Sequence, residues 1–248
     1  MVYPNFKNKH LAEALFTPSS YARKYMKWHK IGLPKKCIII YSKRAFDGLL
    51  TKYNKKYKEY TLYDNLRFIK IGNVGIVKMS GIGAPHAVTI LEEIVALGTK
   101  EFINIGTAGG LYSKGIFLCN KAIRDEGTSA HYIPHSKYSY PDENLTKKLG
   151  KLMAKEKIIF NVAPTWTIDA PYRETKKEIE HYKKQGIATV EMEASALFSV
   201  AKFRKVKIAS IFVVSDILGE KWEPKFHEDY IEKEIVKLVE LSIRLFSR

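Results

Sequence analysis

The chain has 248 residues, 46% of them hydrophobic and 27% charged, and 42 Lys+Arg against 26 Asp+Glu give a formal net charge of +16. This balance can build a core, which excludes wholesale disorder, and the length suits one large α/β domain better than two small ones. Cys37 and Cys119 both sit in apolar runs, so a disulfide framework is not expected and a reducing compartment is.

In chain order, the compact apolar run in Lys36–Tyr41 predicts a buried strand. Phe68–Ile71 and Val74–Met79 predict two strands about a Gly72-Asn73 turn. A Gly-rich turn, Ser80–Pro85, leads into a helix over His86–Leu97 that stops at Gly98. Phe102–Ile105 predicts a strand ending in a second Gly turn, Gly106–Gly110. This βαβ order argues for a largely parallel, buried sheet. Further on, strands are expected at Phe117–Ile123, Ile158–Ala163, Ala188–Glu191 and Val206–Val214. Helices are expected at Glu143–Lys155, Arg173–Gln185 and Ala194–Phe203, with an amphipathic helix at Ile231–Phe246. The expectation is a single α/β domain over 1–248, a central mixed β-sheet flanked by helices, with residues 1–30 as an N-terminal arm.

No apolar run reaches the ~18 residues of a membrane span. Met1–His10 has no hydrophobic signal core, so a cytoplasmic location is expected and no membrane partner is. The positive charge is concentrated: residues 1–60 hold 14 Lys+Arg and only Glu13, Asp47 and Glu59 as acids. No zinc-ligand spacing or aromatic-basic strand accompanies it, so no nucleic-acid partner is expected. His131 and His135 are the nearest histidine pair, and Pro134 between them opposes a helical metal site, so no metal is expected.

Ligands of open α/β sheets bind beyond the carboxyl ends of strands. Four such ends carry polar or glycine-rich residues. Ser80–Pro85 can expose backbone N–H groups to an anion at a helix N-terminus, or be a plain turn. Asn104–Gly110 adds three glycines and the Thr107 hydroxyl. Glu191-Met192-Glu193, if extended, points both carboxylates to one face, where they suit a ribose diol; the alternative is charge complementing a helix N-terminus. Ser215-Asp216 ends an apolar strand, placing an acid that can donate a proton at neutral pH, or an N-cap for a following helix.

Taken in order, these stretches resemble the nucleoside phosphorylase family, which includes purine nucleoside phosphorylase, uridine phosphorylase and the methylthioadenosine nucleosidases. Arg124–Tyr132 and Thr167–Glu174 also resemble family segments, and the similarity runs from about Lys36 to the C-terminus. The resemblance implies phosphate-dependent cleavage of an N-ribosidic bond, with phosphate as co-substrate and no cofactor. It implies Asp216 as the acid that protonates a purine leaving group and Glu193 as the carboxylate holding the ribose hydroxyls. Met192 packs on the sugar, and His10 is lent to the sugar by a neighbouring subunit. Arg44, Thr107, Gly81 and a neighbour's Lys58 serve phosphate; Arg173, Ala108, Gly109 and Ser215 serve the base. Borrowed residues imply a homo-oligomer, a dimer or trimer of dimers.

Departures from the pattern bear on the substrate. The family's Gly-Asp-Pro-x-Arg loop is here Ile40-Tyr41-Ser42-Lys43-Arg44, and Asn104 replaces a phosphate arginine. The nucleosidases, which use water, also carry an Asn there. Asp216 favours a purine, and Arg173 a uridine-type site. The alternatives to a phosphorylase are therefore a nucleosidase hydrolysing the same bond, or a non-catalytic nucleoside-binding protein on the same fold.

Overall fold

The structure is a computed structural model that describes residues 4–25, 33–54, 56–61, 66–219, 221–224 and 228–247. Residues 1–3 and 26–30 of the expected N-terminal arm lie outside these. The strands are β1 (Lys36–Ile40), β2 (Lys58–Thr61), β3 (Arg67–Ile71), β4 (Val74–Lys78), β5 (Glu101–Gly110), β6 (Ile116–Asp125), β7 (Tyr138–Ser139), β8 (Asn161–Ile168), β9 (Thr189–Glu191), β10 (Lys207–Leu218) and β11 (Trp222–Pro224). The helices are α1 (Pro18–Tyr25), α2 (Lys43–Tyr53), α3 (Ala84–Ala96), α4 (Glu143–Lys155), α5 (Lys176–Lys184), α6 (Ala194–Arg204) and α7 (Asp229–Phe246).

The strands form one mixed sheet, ordered β2-β3-β4-β1-β5-β9-β8-β6-β10-β11, with β7 paired to β6 off this path. Strand β10 also pairs in parallel with β5, so β5, β9, β8, β6 and β10 close into a ring while β1 to β4 extend from it as an open wing. The sequence Cys-Ile-Ile-Ile in β1 is fully buried on both faces, as a parallel strand covered by helices requires. Cys37 and Ile39 pack with α3 and α6; Ile38 and Ile40 pack with α2, α4 and α7. Burying each of these isoleucines stabilises the fold by about 1.5–3 kcal/mol. Both cysteines are buried free thiols. Among the described residues no helix is long and apolar enough to cross a membrane.

Several expected boundaries move. The Gly106–Gly110 stretch is not a turn: β5 runs straight through it. Its glycines serve close approach instead. A Cβ on Gly109 would stand 2.8 Å from Leu218 and 3.1 Å from Val190, and one on Gly110 would stand 2.5 Å from the Ser113 carbonyl oxygen. The β5–β9 pairing is thus made where β5 has no side chains, at Gly109 and Gly110. Likewise β10 does not stop at Val214. It continues through Ser215 and Asp216 to Leu218, with a bulge between Val214 and Asp216. Neither residue is the N-cap of a following helix. The strand expected at Ile158–Ala163 begins instead at Asn161 and extends to Ile168, after a left-handed Lys157 (φ 56°). The helix expected from Arg173 starts at Lys176, set by a capping box between Thr175 and Glu178, and Arg173 lies in the preceding 3-10 turn.

Candidate functional site

Glu193 stands where the carboxyl end of β9 meets the loop that follows β4. Sequence spacing suggests that Glu191 and Glu193 share one face, and the structure separates their roles. Strand β9 ends at Glu191, and Glu193 is the N-cap residue of α6 with φ −137° and ψ −33°. Glu191 is fully enclosed: its Oε2 accepts from the Glu193 and Ala194 N–H groups at 2.8 and 2.7 Å, and its Oε1 accepts from the Thr167 hydroxyl at 2.5 Å. Glu191 thus supplies the helix-end charge that the motif contains. Glu193 instead reaches across to the loop before α3, where its Oε1 accepts from the Gly83 N–H at 2.5 Å. Gly83 can take this position because it is left-handed, φ 98°. Burial raises both carboxyl pKa values, and the Glu193 charge raises that of Glu191 further. Met192 is partly exposed between them.

A second layer holds this pair. The Thr167 hydroxyl oxygen accepts from Ser195 N at 3.0 Å, and the Ser195 hydroxyl donates to Oε1 of Glu126 at 2.8 Å. Glu126 Oε2 in turn accepts from the N–H groups of Thr128 and Ser129. The carboxylates therefore rest on a fixed hydrogen-bonded scaffold.

Asp216 is buried on β10, beside Gly109 of β5. The Ser215 hydroxyl donates to its Oδ1 and the Trp222 indole N–H to its Oδ2, both at 2.8 Å. Glu174 lies within the field of Asp216. Burial, the Asp216 charge and then Glu178 push the Glu174 pKa up to about 7. Arg173, one residue earlier, is exposed. Ala108 is buried on β5, Gly109 is partly exposed and Thr107 is exposed.

The residues expected to meet phosphate each have their own place in the chain. Arg44 lies in the first turn of α2, 2.8 Å from Asp229 of α7, and both side chains are exposed. The Ser42 hydroxyl beside it donates to Glu232 at 2.5 Å. Gly81 N–H donates to Nε2 of His86 at 3.1 Å. Lys58 is exposed on β2, four inter-strand steps from β5, so roughly 19 Å of sheet separates it from Thr107. His10 is in a short 3-10 turn, Lys9–Leu11, near the one at Ser129–His131. Asn104 is buried; its Nδ2 donates to Ser210 Oγ at 3.2 Å, while its Oδ1 has no partner among the described residues.

Sequence reasoning did not single out Tyr41 or Trp222. Tyr41 follows β1, and a Cβ on Gly106 would stand 3.4 Å from its ring. The only signal for it was the altered loop that contains it. Trp222 had none, because its role comes from β11 pairing back on the end of β10.

The sequence profile of the Phosphorylase superfamily matches residues 35–246. Purine nucleoside phosphorylase of Plasmodium vivax is 26% identical over 206 residues, covering 79% of this chain and 80% of that protein. Guanosine phosphorylase of Halorubrum lacusprofundi is 25% identical over 206 residues, covering 80% and 82%. Among solved structures, AMP nucleosidase from Bacteroides thetaiotaomicron superposes with a TM-score of 0.78 at 18% identity, over 94% of this chain and 97% of that one.

Proposed function

Because the chain belongs to the phosphorylase superfamily, we propose that it cleaves the N-ribosidic bond of a purine nucleoside, transferring the ribosyl group to phosphate and releasing free base and ribose 1-phosphate. The observation that carries this reading is the pair of buried carboxylates at the converging strand ends, Glu193 and Asp216. Cleavage builds positive charge on the sugar and negative charge on the departing base. Glu193 accepts hydrogen bonds from the ribose hydroxyls and lies where the sugar charge develops. Asp216 donates a proton to the base, and a purine offers a basic N7 to receive it. The exposed position of Arg173 weighs against a uridine-type site. The names of two relatives, purine nucleoside and guanosine phosphorylase, point the same way.

Arg44, Thr107, Gly81 and a neighbour's Lys58 are the phosphate contacts in this reading, and the enzyme acts in the cytoplasm as a homo-oligomer without a cofactor. A second reading, hydrolysis, is favoured by a specific set of contacts: Asp229 already neutralises Arg44, and Asn104 stands where the resembled phosphorylases have a cation. One experiment separates them. Base release from guanosine, inosine, adenosine and uridine is followed with and without phosphate, and the sugar product is identified. Phosphorolysis requires phosphate and yields ribose 1-phosphate; equal release in its absence, with free ribose, establishes hydrolysis. No release from any nucleoside removes both.

A further inference from the structure

Tyr41 presents an unusual combination. Its ring lies over Gly106, where any larger residue would meet it: a Cβ there would stand 3.4 Å from Cδ2 and 3.6 Å from Cε2. Its hydroxyl oxygen is out of solvent and has no hydrogen-bond partner among the described residues. Burial, followed by the charges of Glu193 and Glu191, pushes the phenol pKa well above its usual range, so the group is a neutral donor throughout the physiological pH range. Leaving a polar group buried and unpaired costs about 1–3 kcal/mol, so such groups call for a function.

The neighbouring chemistry supplies one. Glu193 uses Oε1 on Gly83, and an ionised carboxylate has only acceptors to offer. A sugar hydroxyl needs the opposite pairing on each side: an acceptor for its proton and a donor to its lone pair. We propose that Tyr41 is a specificity-determining residue that, together with Glu193, brackets one ribose hydroxyl, Tyr41 donating to its oxygen and Glu193 accepting its proton. This rests on the reading of Glu193 as the sugar-holding carboxylate. A nucleoside lacking that hydroxyl would leave two buried polar groups unpaired, the situation in which binding sites reject a substrate most strongly.

The test compares kcat/KM for guanosine, 2′-deoxyguanosine and 3′-deoxyguanosine in the wild-type protein and Tyr41→Phe. The substitution removes one atom without enlarging the ring, so the fold is retained, which thermal unfolding checks. The expected result is an approximately tenfold fall for guanosine, with one of the two deoxynucleosides unaffected, so that one ribo-to-deoxy preference narrows about tenfold. A purely structural role would lower all three substrates equally. That outcome, or no change in either preference, overturns the proposal while leaving nucleoside cleavage intact. Absence of base release from every substrate by the wild-type protein overturns the reading of the site, and this proposal with it.

Discussion

The indole N–H of Trp222 donates to Oδ2 of Asp216 across 2.8 Å, from a side chain that is itself 59% exposed. A surface tryptophan thereby fixes the orientation of a buried acid through the two-strand turn between β10 and β11. Trp222→Phe keeps an aromatic ring, smaller than the indole, and removes the donor. The expected effect is a kcat lowered about tenfold on guanosine or inosine, with KM little changed, because a hydrogen bond of about 1.5 kcal/mol no longer aims the carboxyl group. Steady-state kinetics check it; a change confined to KM would assign Trp222 to binding instead.

If Asp216 protonates N7, a nucleoside already methylated there has no need of it. Asp216→Asn is expected to lower kcat on inosine by about 10²–10⁴-fold, the usual contribution of a positioned general acid. On 7-methylinosine the loss is expected to be less than tenfold. Equal losses on both substrates would show that Asp216 only binds.

Glu191 and Glu193 are two residues apart and should respond differently. Glu191→Ala removes the acceptor for two α6 N–H groups and the Thr167 hydroxyl, so stability falls by about 2 kcal/mol or more. Glu193→Gln keeps the size and removes a charge that burial disfavours, so the melting temperature is held or raised while kcat/KM falls by at least 10²-fold. Melting curves and kinetics on the two variants would reject this division if both lost stability alike.

The contrast explains what the sequence made legible. The continuous burial of Cys37 to Ile40 and the α3 helix could be read directly, because each depends on local pattern, and the helix also on the glycines flanking it. The carboxylate pair was legible as a motif but not as two roles, because the role depends on Gly83, 110 positions away in the chain. The glycines of β5 looked like a phosphate turn. At Gly109 the constraint comes from Val190 and Leu218, which no local pattern contains. Tyr41 meets Gly106 far along the chain for the same reason, and Trp222 reaches Asp216 only because β11 folds back on β10.

Lys58 lies on β2, four inter-strand steps from β5, so the phosphate role proposed for it requires that a neighbouring subunit supply it. Sedimentation is expected to show a homo-oligomer. Mixing Lys58→Ala with Glu193→Gln, each impaired alone, should then restore activity as subunits exchange. In a two-fold dimer one site per hybrid is intact, so random exchange restores roughly a quarter of the wild-type sites. An active monomer, or mixtures that never exceed the separate variants, would refute a shared site.

The buried acids also set a pH dependence of stability. Glu174 and Glu93 are each pushed up to about 7, Glu93 by burial and Glu174 by burial with Asp216 and Glu178 nearby. The unfolded chain releases these protons near the usual glutamate value of 4.5. Between that value and about 7 the folded state therefore binds more protons, and its stability declines as pH rises. Surface acids held low, such as Asp47 beside Lys43 and Arg67, act in the opposite sense, but only below pH 4. The ligand-free protein should accordingly lose melting temperature from pH 5 to 8. Glu174→Gln, which has no proton to release, should show a slope shallower by roughly 2–4 °C over that interval, the equivalent of about 1 kcal/mol for a chain of this size. Differential scanning calorimetry at fixed ionic strength provides the comparison, and parallel slopes would mean that Glu174 ionises as an ordinary exposed glutamate.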